Sequence, residues 1–393
     1  MNKIHLLFLL AIVGISCVPT DQPVSFVVSN ALSFERNQEV IQVPIELIVL
    51  KKGQQLENFG IADEMGNLLS IQYVDNNQDE ISDGILFQPT VPANGQSKFF
   101  LKELGAEEEI PTSMEVCYSR FVPERTDDYS WENDKVAFRM FGPTAQQMKE
   151  EGAPGGTLTS GIDCWLKKVE YPIINKWYKK YESDPNAYHV DSGEGLDNFH
   201  VGISRGCGGI AVKQNDEFYT SKNFTSFKTL SKGPLKTAFE LNYSPWSAGD
   251  STIIETTKKI NLDKSSQLSR IEVNVKGAKN IWAGLTLHEN DGQVTVDSLG
   301  AWVSYYQPHG DSYLATALLA APGFFSGSEV VLSEEKDLSH AYLNLAVNEG
   351  KAVYYAGFYW QESGQFEDNE AWELYLTQFS AQLADPLVLS QIN

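Results

Sequence analysis

Between Tyr188 and Gly209 the chain reads YHVDSGEGLDNFHVGISRGCGG, which places two histidines, three acids, one arginine and six glycines ahead of the apolar stretch Ile210-Ala211-Val212. Glycine admits backbone conformations closed to other residues and lets a ligand approach the main chain. The composition fits a binding loop; the alternative is a solvated glycine-rich connector. Asp191, Glu194 and Asp197 are spaced to converge on one hollow, with His189, His200 and Arg205 as titratable and cationic partners. Of the histidines, His189 stands out, because Tyr188 and Asp191 flank it.

A second chemically dense stretch is PERTDDYSWENDKVAFRMFGP at 123–143. Arg125, Trp131, Glu132 and Arg139 combine an aromatic face with charged hydrogen-bonding groups, as a pyranose requires for its apolar CH face and its rim of hydroxyls. The competing reading is a β-hairpin laced with ion pairs. Arg139 lies between Phe138 and Met140 in a strand-like run, so its fork points away from them, into a cavity or to water, where it can hold a carboxylate or sulfate in two-pronged fashion. Lys168 adds a further cation. His288 and His309 each follow an apolar strand, where a histidine is often only a cap.

At 75–83 the segment DNNQDEISD places Asp75, Asn77, Asp79 and Asp83 at the first, third, fifth and ninth positions of a calcium-loop spacing. Glu80 replaces the usual turn glycine and no glutamate follows at position twelve, so a polar hairpin turn remains open beside a structural calcium site. The sequence contains no GxSxG elbow, HExxH motif or P-loop. Paired carboxylates have no fixed sequence spacing, so hydrolysis stays open.

These segments need a scaffold, and the flanking pattern is β. Short alternating runs such as Ile41–Leu50, Leu68–Val74 and Lys98–Leu101 predict a smaller N-terminal β-sandwich region over 24–118. Longer alternating segments from Leu235–Tyr243 to Ala352–Trp360 predict a large antiparallel β-sandwich, giving a mainly β chain with a second region over 119–388. Helices are predicted at Thr144–Glu151, from Pro172 to about Tyr181, and at Asn369–Leu383 as the last regular element.

Lys3, the apolar run Leu6–Ile15 and the small residues before Cys17 have the form of an export signal over 1–17. Lipidation of Cys17 is expected, which would make the chain an exported lipoprotein of the periplasm or outer-membrane surface, touching the membrane only through that anchor. Cys117, Cys164 and Cys207 show no zinc spacing and read as core residues. The net charge of −22 argues against nucleic acid as a partner.

The blocks PERTDDYSWENDKVAFRMFGP, SGIDCWLKKVEYPIINKWY, YHVDSGEGLDNFHVGISRGCGG and KGPLKTAFELNYSPW resemble a family of exported proteins from polysaccharide-degrading bacteria, one branch of which is associated with dehydration of ulvan oligosaccharides. The resemblance spans roughly 120–385 and implies a sandwich like those of sugar mutarotases and some polysaccharide lyases. It implies an oligosaccharide dehydratase that eliminates water from a non-reducing-end uronic acid, with an anionic oligosaccharide as partner and no required cofactor. In that chemistry His189 and Tyr188 are the base and acid candidates and Arg205 or Arg139 the carboxylate clamp, with Arg125, Trp131, Glu132, Lys168, Asp191, Glu194, His200 and His288 around the substrate. A non-catalytic glycan-binding lipoprotein and a uronic-acid epimerase or mutarotase-like enzyme are the alternatives.

Overall fold

The long alternating segments pair as a period of two requires. In the computed structural model, which describes residues 24–48, 50, 53–105, 108–111 and 114–392, the strand Thr252–Asp263 buries Ile254, Thr256, Lys258, Ile260 and Leu262 and turns the intervening residues outward. The leader and Cys17 lie outside the described residues.

Thr252–Asp263 belongs to a nine-stranded antiparallel sheet that includes Lys236–Asn242, Leu268–Lys276, Lys351–Trp360, Ser312–Ala320 and Trp302–His309. A five-stranded sheet with Cys207–Gln214, Asn280–Thr286 and His340–Ala346 at its centre packs against it. Ile210, Leu285 and Leu343 from the smaller sheet share one core with Ile260, Ile271 and Leu318 from the larger. Each such side chain contributes roughly 1.5–3 kcal/mol on leaving water. This is the predicted large antiparallel sandwich.

A third sheet orders Gly195–Leu196, Asp163–Lys167, Ala137–Met140, Asp128–Glu132 and Tyr118–Val122. Its two faces have opposite character. Tyr129, Trp131, Phe138, Met140, Cys164 and Leu166 face the main core, whereas Asp128, Glu132, Arg139, Asp163, Trp165 and Lys167 alternate with them on the other face. Helix α1 (Pro143–Glu150) follows the strand that carries Arg139, and helix α2 (Ile174–Tyr181) covers the charged face with Ile174, Trp177 and Tyr178. Helix α3 (Asn369–Ala384) covers the outer face of the nine-stranded sheet, where fully buried Trp372 and Leu376 meet Trp302, Ala317 and Tyr359.

The N-terminal strands build two small sheets around their own core of Phe26, Val28, Val43, Ile61, Ile85, Phe87 and Phe99. The Gln72 side chain ties them to the large sandwich, accepting from Leu235 N and Lys236 N at 2.9 Å each. One expectation fails here. The last element is not α3 but the strand Val388–Ile392, which pairs with Ser25–Asn30. Its run Val388-Leu389 before a few polar residues is too short for a periodic signal to separate it from a tail.

Trp372 fills its site completely and donates its indole N–H to Ser304 Oγ at 3.0 Å. Trp372→Ala is expected to destabilise the protein by about 3–5 kcal/mol, read from urea unfolding followed by circular dichroism. A loss below about 1 kcal/mol would show that α3 is not part of the cooperative unit.

Candidate functional site

The charged face of the third sheet converges on Arg139. Its Nε and Nη2 donate to Asp163 Oδ2 at 2.9 and 2.5 Å, and Nη2 also donates to Asp197 Oδ2 at 2.9 Å. Asp128 Oδ2 lies 3.9 Å from Nη1. The guanidinium rests against the rings of Phe141 and Trp165, at 4.9 and 5.3 Å from their centroids. Burial opposes its charge, but Asp197, Asp163 and Asp128 outweigh that and hold the arginine well above its usual range. The acids cannot all be compensated by one cation. Burial, only partly offset by Arg139 and Arg125, raises Asp128 to about 6. Burial and the neighbouring Asp197 carry Asp163 well above the usual carboxylate value.

Asp197 joins this cluster to the 188–209 loop. Its carbonyl meets His189 Nδ1 at 2.6 Å, which fixes Nδ1 as the donor, so that in the neutral ring Nε2 carries the lone pair. The His189 side chain is 44% exposed and lines a cavity of about 540 Å³ together with Arg139, Asp197, His200 and Asp337. His200 Nε2 faces Asp337 Oδ2 at 3.1 Å. Close backbone packing shapes the loop: at Gly195, φ is +107° and an added Cβ would stand 1.9 Å from Leu166 O, so only glycine fits there.

A second cavity, of about 580 Å³, shares Leu158 and Ile203 with the first and is lined by Arg205, Phe218, His340 and Tyr342. Arg205 is 3% exposed. Its guanidinium donates only to neutral oxygens, Ser160 Oγ at 3.1 Å, Ile210 O at 3.3 Å and Ile203 O at 2.9 Å. No ion pair to Arg205 forms among the described residues, and burial draws it down to about 10. His340 Nε2 accepts the Arg205 backbone N–H at 3.0 Å; burial, then the arginine charge, push this histidine down to about 3 and keep it neutral. Burial raises the Tyr342 phenol to about 12, so it stays protonated at neutral pH.

Several residues singled out in the sequence have other positions. Tyr188 is 2% exposed and packed among Trp165, Tyr178 and Tyr181, so it is no acid for this cavity. Trp131 is fully buried in the main core and donates to Ser269 Oγ at 2.9 Å, so it offers no platform to a sugar. Glu132 pairs with Lys167 Nζ at 2.9 Å and accepts the first amide protons of α2 from Ile173 and Ile174. Arg125 lies over the Tyr181 ring. The three loop acids do not converge: Asp191 pairs with Lys168 at 2.6 Å and caps Gly193 N and Gly195 N, Glu194 binds Lys176, Tyr171 and Lys180, and only Asp197 reaches the site. Lys168 also holds Glu362. His288 Nε2 meets His200 O at 2.8 Å beneath Phe199, supporting the loop rather than facing the cavity. His309 Nε2 meets Asn198 Oδ1 at 2.8 Å.

The calcium reading of 75–83 is not supported. Asp75 accepts the amides of Gln78 and Glu80, Asp83 accepts that of Asn76, and Asp79 accepts that of Ile81. The carboxylates are spent on the turn itself, and among the described residues no group of three or more His, Cys, Asp or Glu side chains could hold a metal ion. Cys117, Cys164 and Cys207 are buried and free.

Sequence reasoning missed Asp128, Asp163 and Tyr342. The first two alternate with core residues on strands, a pattern that marked Arg139 and applied equally to them. Tyr342 carries no local signal, because its partner Arg205 is 137 positions away.

The profile of a family described as "Domain of unknown function (DUF4861)" matches residues 28–389. A relative from Formosa agariphila, "Uncharacterized protein P7", is 45% identical over 395 residues, covering 99% of this chain and 100% of its own. Among solved structures, an α-mannosidase from Enterococcus faecalis V583 superposes with a TM-score of 0.51 at 11% identity, over 94% of this chain and 46% of its own. A glycosyl hydrolase family 38 protein from the same species gives 0.49 at 9%, over 94% and 47%. The chain thus spans about half the length of the solved structures it matches, and what it shares with the α-mannosidase is the fold.

The pKa of Asp128 gives a test with a defined sign. It rises from 3.8 to about 6 on folding, so its contribution is fully present below 3.8 and is lost as pH rises through 6, on the order of 3 kcal/mol. Asp128→Asn removes this dependence. Between pH 4 and pH 7, the stability of the variant relative to the wild type is expected to shift in the variant's favour by up to that amount, measured by urea unfolding at each pH. A difference that does not change with pH would show that Asp128 ionises normally.

Proposed function

Since the chain belongs to the DUF4861 family, we propose that it acts on anionic oligosaccharides as a carbon–oxygen lyase, removing water from a uronic acid at the non-reducing end. The observation that carries this reading is Arg205, a buried guanidinium with no carboxylate partner among the described residues in the wall of an open cavity. Burying a charge without a partner is costly, and a ligand carboxylate would relieve that cost.

In the proposed reaction Arg205 binds the uronate carboxylate and stabilises the charge that develops on it as the adjacent carbon loses its proton. His189, in the adjoining cavity that shares Leu158 and Ile203 with that of Arg205, takes that proton on Nε2, since its Nδ1 is engaged with the Asp197 carbonyl. The electron pair forms a double bond to the neighbouring carbon, whose C–O bond breaks. Tyr342, neutral and in the same wall as Arg205, gives its proton to the departing hydroxyl, which leaves as water. Tyr342 takes the part first considered for Tyr188. Export as a lipoprotein fits the same reading, since such glycans are extracellular.

Mass spectrometry of a mixture of uronic-acid oligosaccharides tests the class directly. Loss of one water is expected. A stereochemical change at constant mass would identify an epimerase, and binding without change a glycan-binding protein. Arg205→Ala is expected to lower kcat/KM by about 10²–10³-fold on the uronate substrate, and the wild type should barely turn over its carboxyl-reduced analogue. Equal processing of both substrates by the wild type would remove the carboxylate from recognition, and the lyase mechanism with it.

A further inference from the structure

A third cavity, of about 440 Å³, lies on the other side of the nine-stranded sheet from Arg205, between α3 and segment 34–40. The strand Lys351–Trp360 separates the two sides. Tyr354 points inward and donates its hydroxyl to Gly208 O at 2.6 Å, whereas Tyr355 points outward into this cavity, its ring centroid 5.1 Å from that of Phe379. The volume falls within the range of about 300–1,000 Å³ typical of small-ligand sites.

Helix α3 contributes Tyr375, Gln378, Phe379 and Gln382 to the wall, at i, i+3, i+4 and i+7, so one face of the helix is turned to the cavity. That face alternates aromatic rings with amides. The side-chain amides of Gln378, Gln382 and Asn261 take part in no hydrogen bond within the described residues, which leaves their donors and acceptors available.

The cations in the wall, in contrast, are already matched. Arg36 is held two-pronged by Glu39 and donates to Asp385 O. Lys236 Nζ lies 3.4 Å from Asp263 and Arg270 3.1 Å from Glu272. The cavity therefore offers aromatic faces and free amides among mostly paired ions, with exposed Glu35, bonded by the Asn37 amide, the wall carboxylate for which no cation is found among the described residues.

We propose that this cavity is a non-catalytic binding site for uncharged pyranose units of a glycan. The Tyr355 and Phe379 rings meet the apolar CH face of the sugar, and the amides of Asn261, Gln378 and Gln382 bond its hydroxyls. A chain held here raises the effective concentration of glycan at the protein without using the Arg205 cavity.

The test is calorimetric titration of the whole protein with neutral xylo-, gluco-, manno- and galacto-tetrasaccharides. Saturable one-site binding of at least one is expected. The double substitution Gln378→Ala and Gln382→Ala, which suits a helix, should weaken that binding at least tenfold while turnover of a short uronate substrate stays unchanged. Tyr355→Ala is the second probe, with circular dichroism confirming the fold. Arg205→Ala should leave neutral-sugar binding intact. Absence of binding across the panel, binding that survives both sets of substitutions, or binding lost with Arg205→Ala would each overturn the proposal. Because the readout is affinity for neutral sugars, it stands or falls separately from the lyase reading.

Discussion

The geometry of the site hangs on one guanidinium. Arg139 sits opposite Asp163 in the strand register and reaches beyond its own sheet to Asp197 in the glycine-rich loop. Buried ion pairs add little net stability compared with a well-packed apolar substitute, but leaving one partner alone costs about 3–5 kcal/mol. What Arg139 supplies is position. Asp197 uses its carboxylate on Arg139 and its carbonyl on His189, so the imidazole is fixed to the sheet through a single residue.

The two buried arginines of this region make a contrast. Arg139 faces three acids, and burial first, with the neighbouring Asp197 adding to it, leaves the carboxylates of Asp128 and Asp163 raised. Arg205 faces none among the described residues and is met by hydroxyl and carbonyl oxygens. In the first arrangement Nε and Nη2 are bonded to Asp163 and Asp197, while Nη1 is buried without a hydrogen-bond partner, 3.9 Å from Asp128 Oδ2. The second leaves a cation at a cavity wall, the electrostatic condition for holding an anion.

Much of this architecture was legible in the sequence. The long alternating strands and the helices α2 and α3 stand where periodicity places them, because each buries a face on a neighbouring layer and the pattern follows directly. Alternation also placed Arg139 opposite Phe138 and Met140. The failures share another cause. Trp131 and Glu132 were read as site residues by type, yet one faces the main core and the other caps α2; which face of a strand meets the core and which meets a helix depends on layers that the local sequence does not show. The loop acids were read as convergent from spacing alone, whereas cations from α2 and the end of the adjacent strand claim Asp191 and Glu194 separately. The Arg205–Tyr342 juxtaposition is a product of sheet pairing, and no local pattern encodes it.

The sandwich interior carries one more departure from apolar packing, and it bears on how the Arg205 charge is kept. Lys258 occupies an inward position between Thr256 and Ile260, its Nζ buried without a hydrogen-bond partner, 4.8 Å from the centroid of the Tyr243 ring. Burial first, and then the charge of Arg205, draw this amine down to about 7. Arginine holds its proton far more firmly than lysine, so when two cations share a poorly solvated interior it is the lysine that gives up its charge. As pH rises through 7 the amine of Lys258 therefore loses its charge while Arg205 keeps its own. The lasting charge is that of the guanidinium at the cavity wall, which keeps the attraction for an anion where a ligand can reach it.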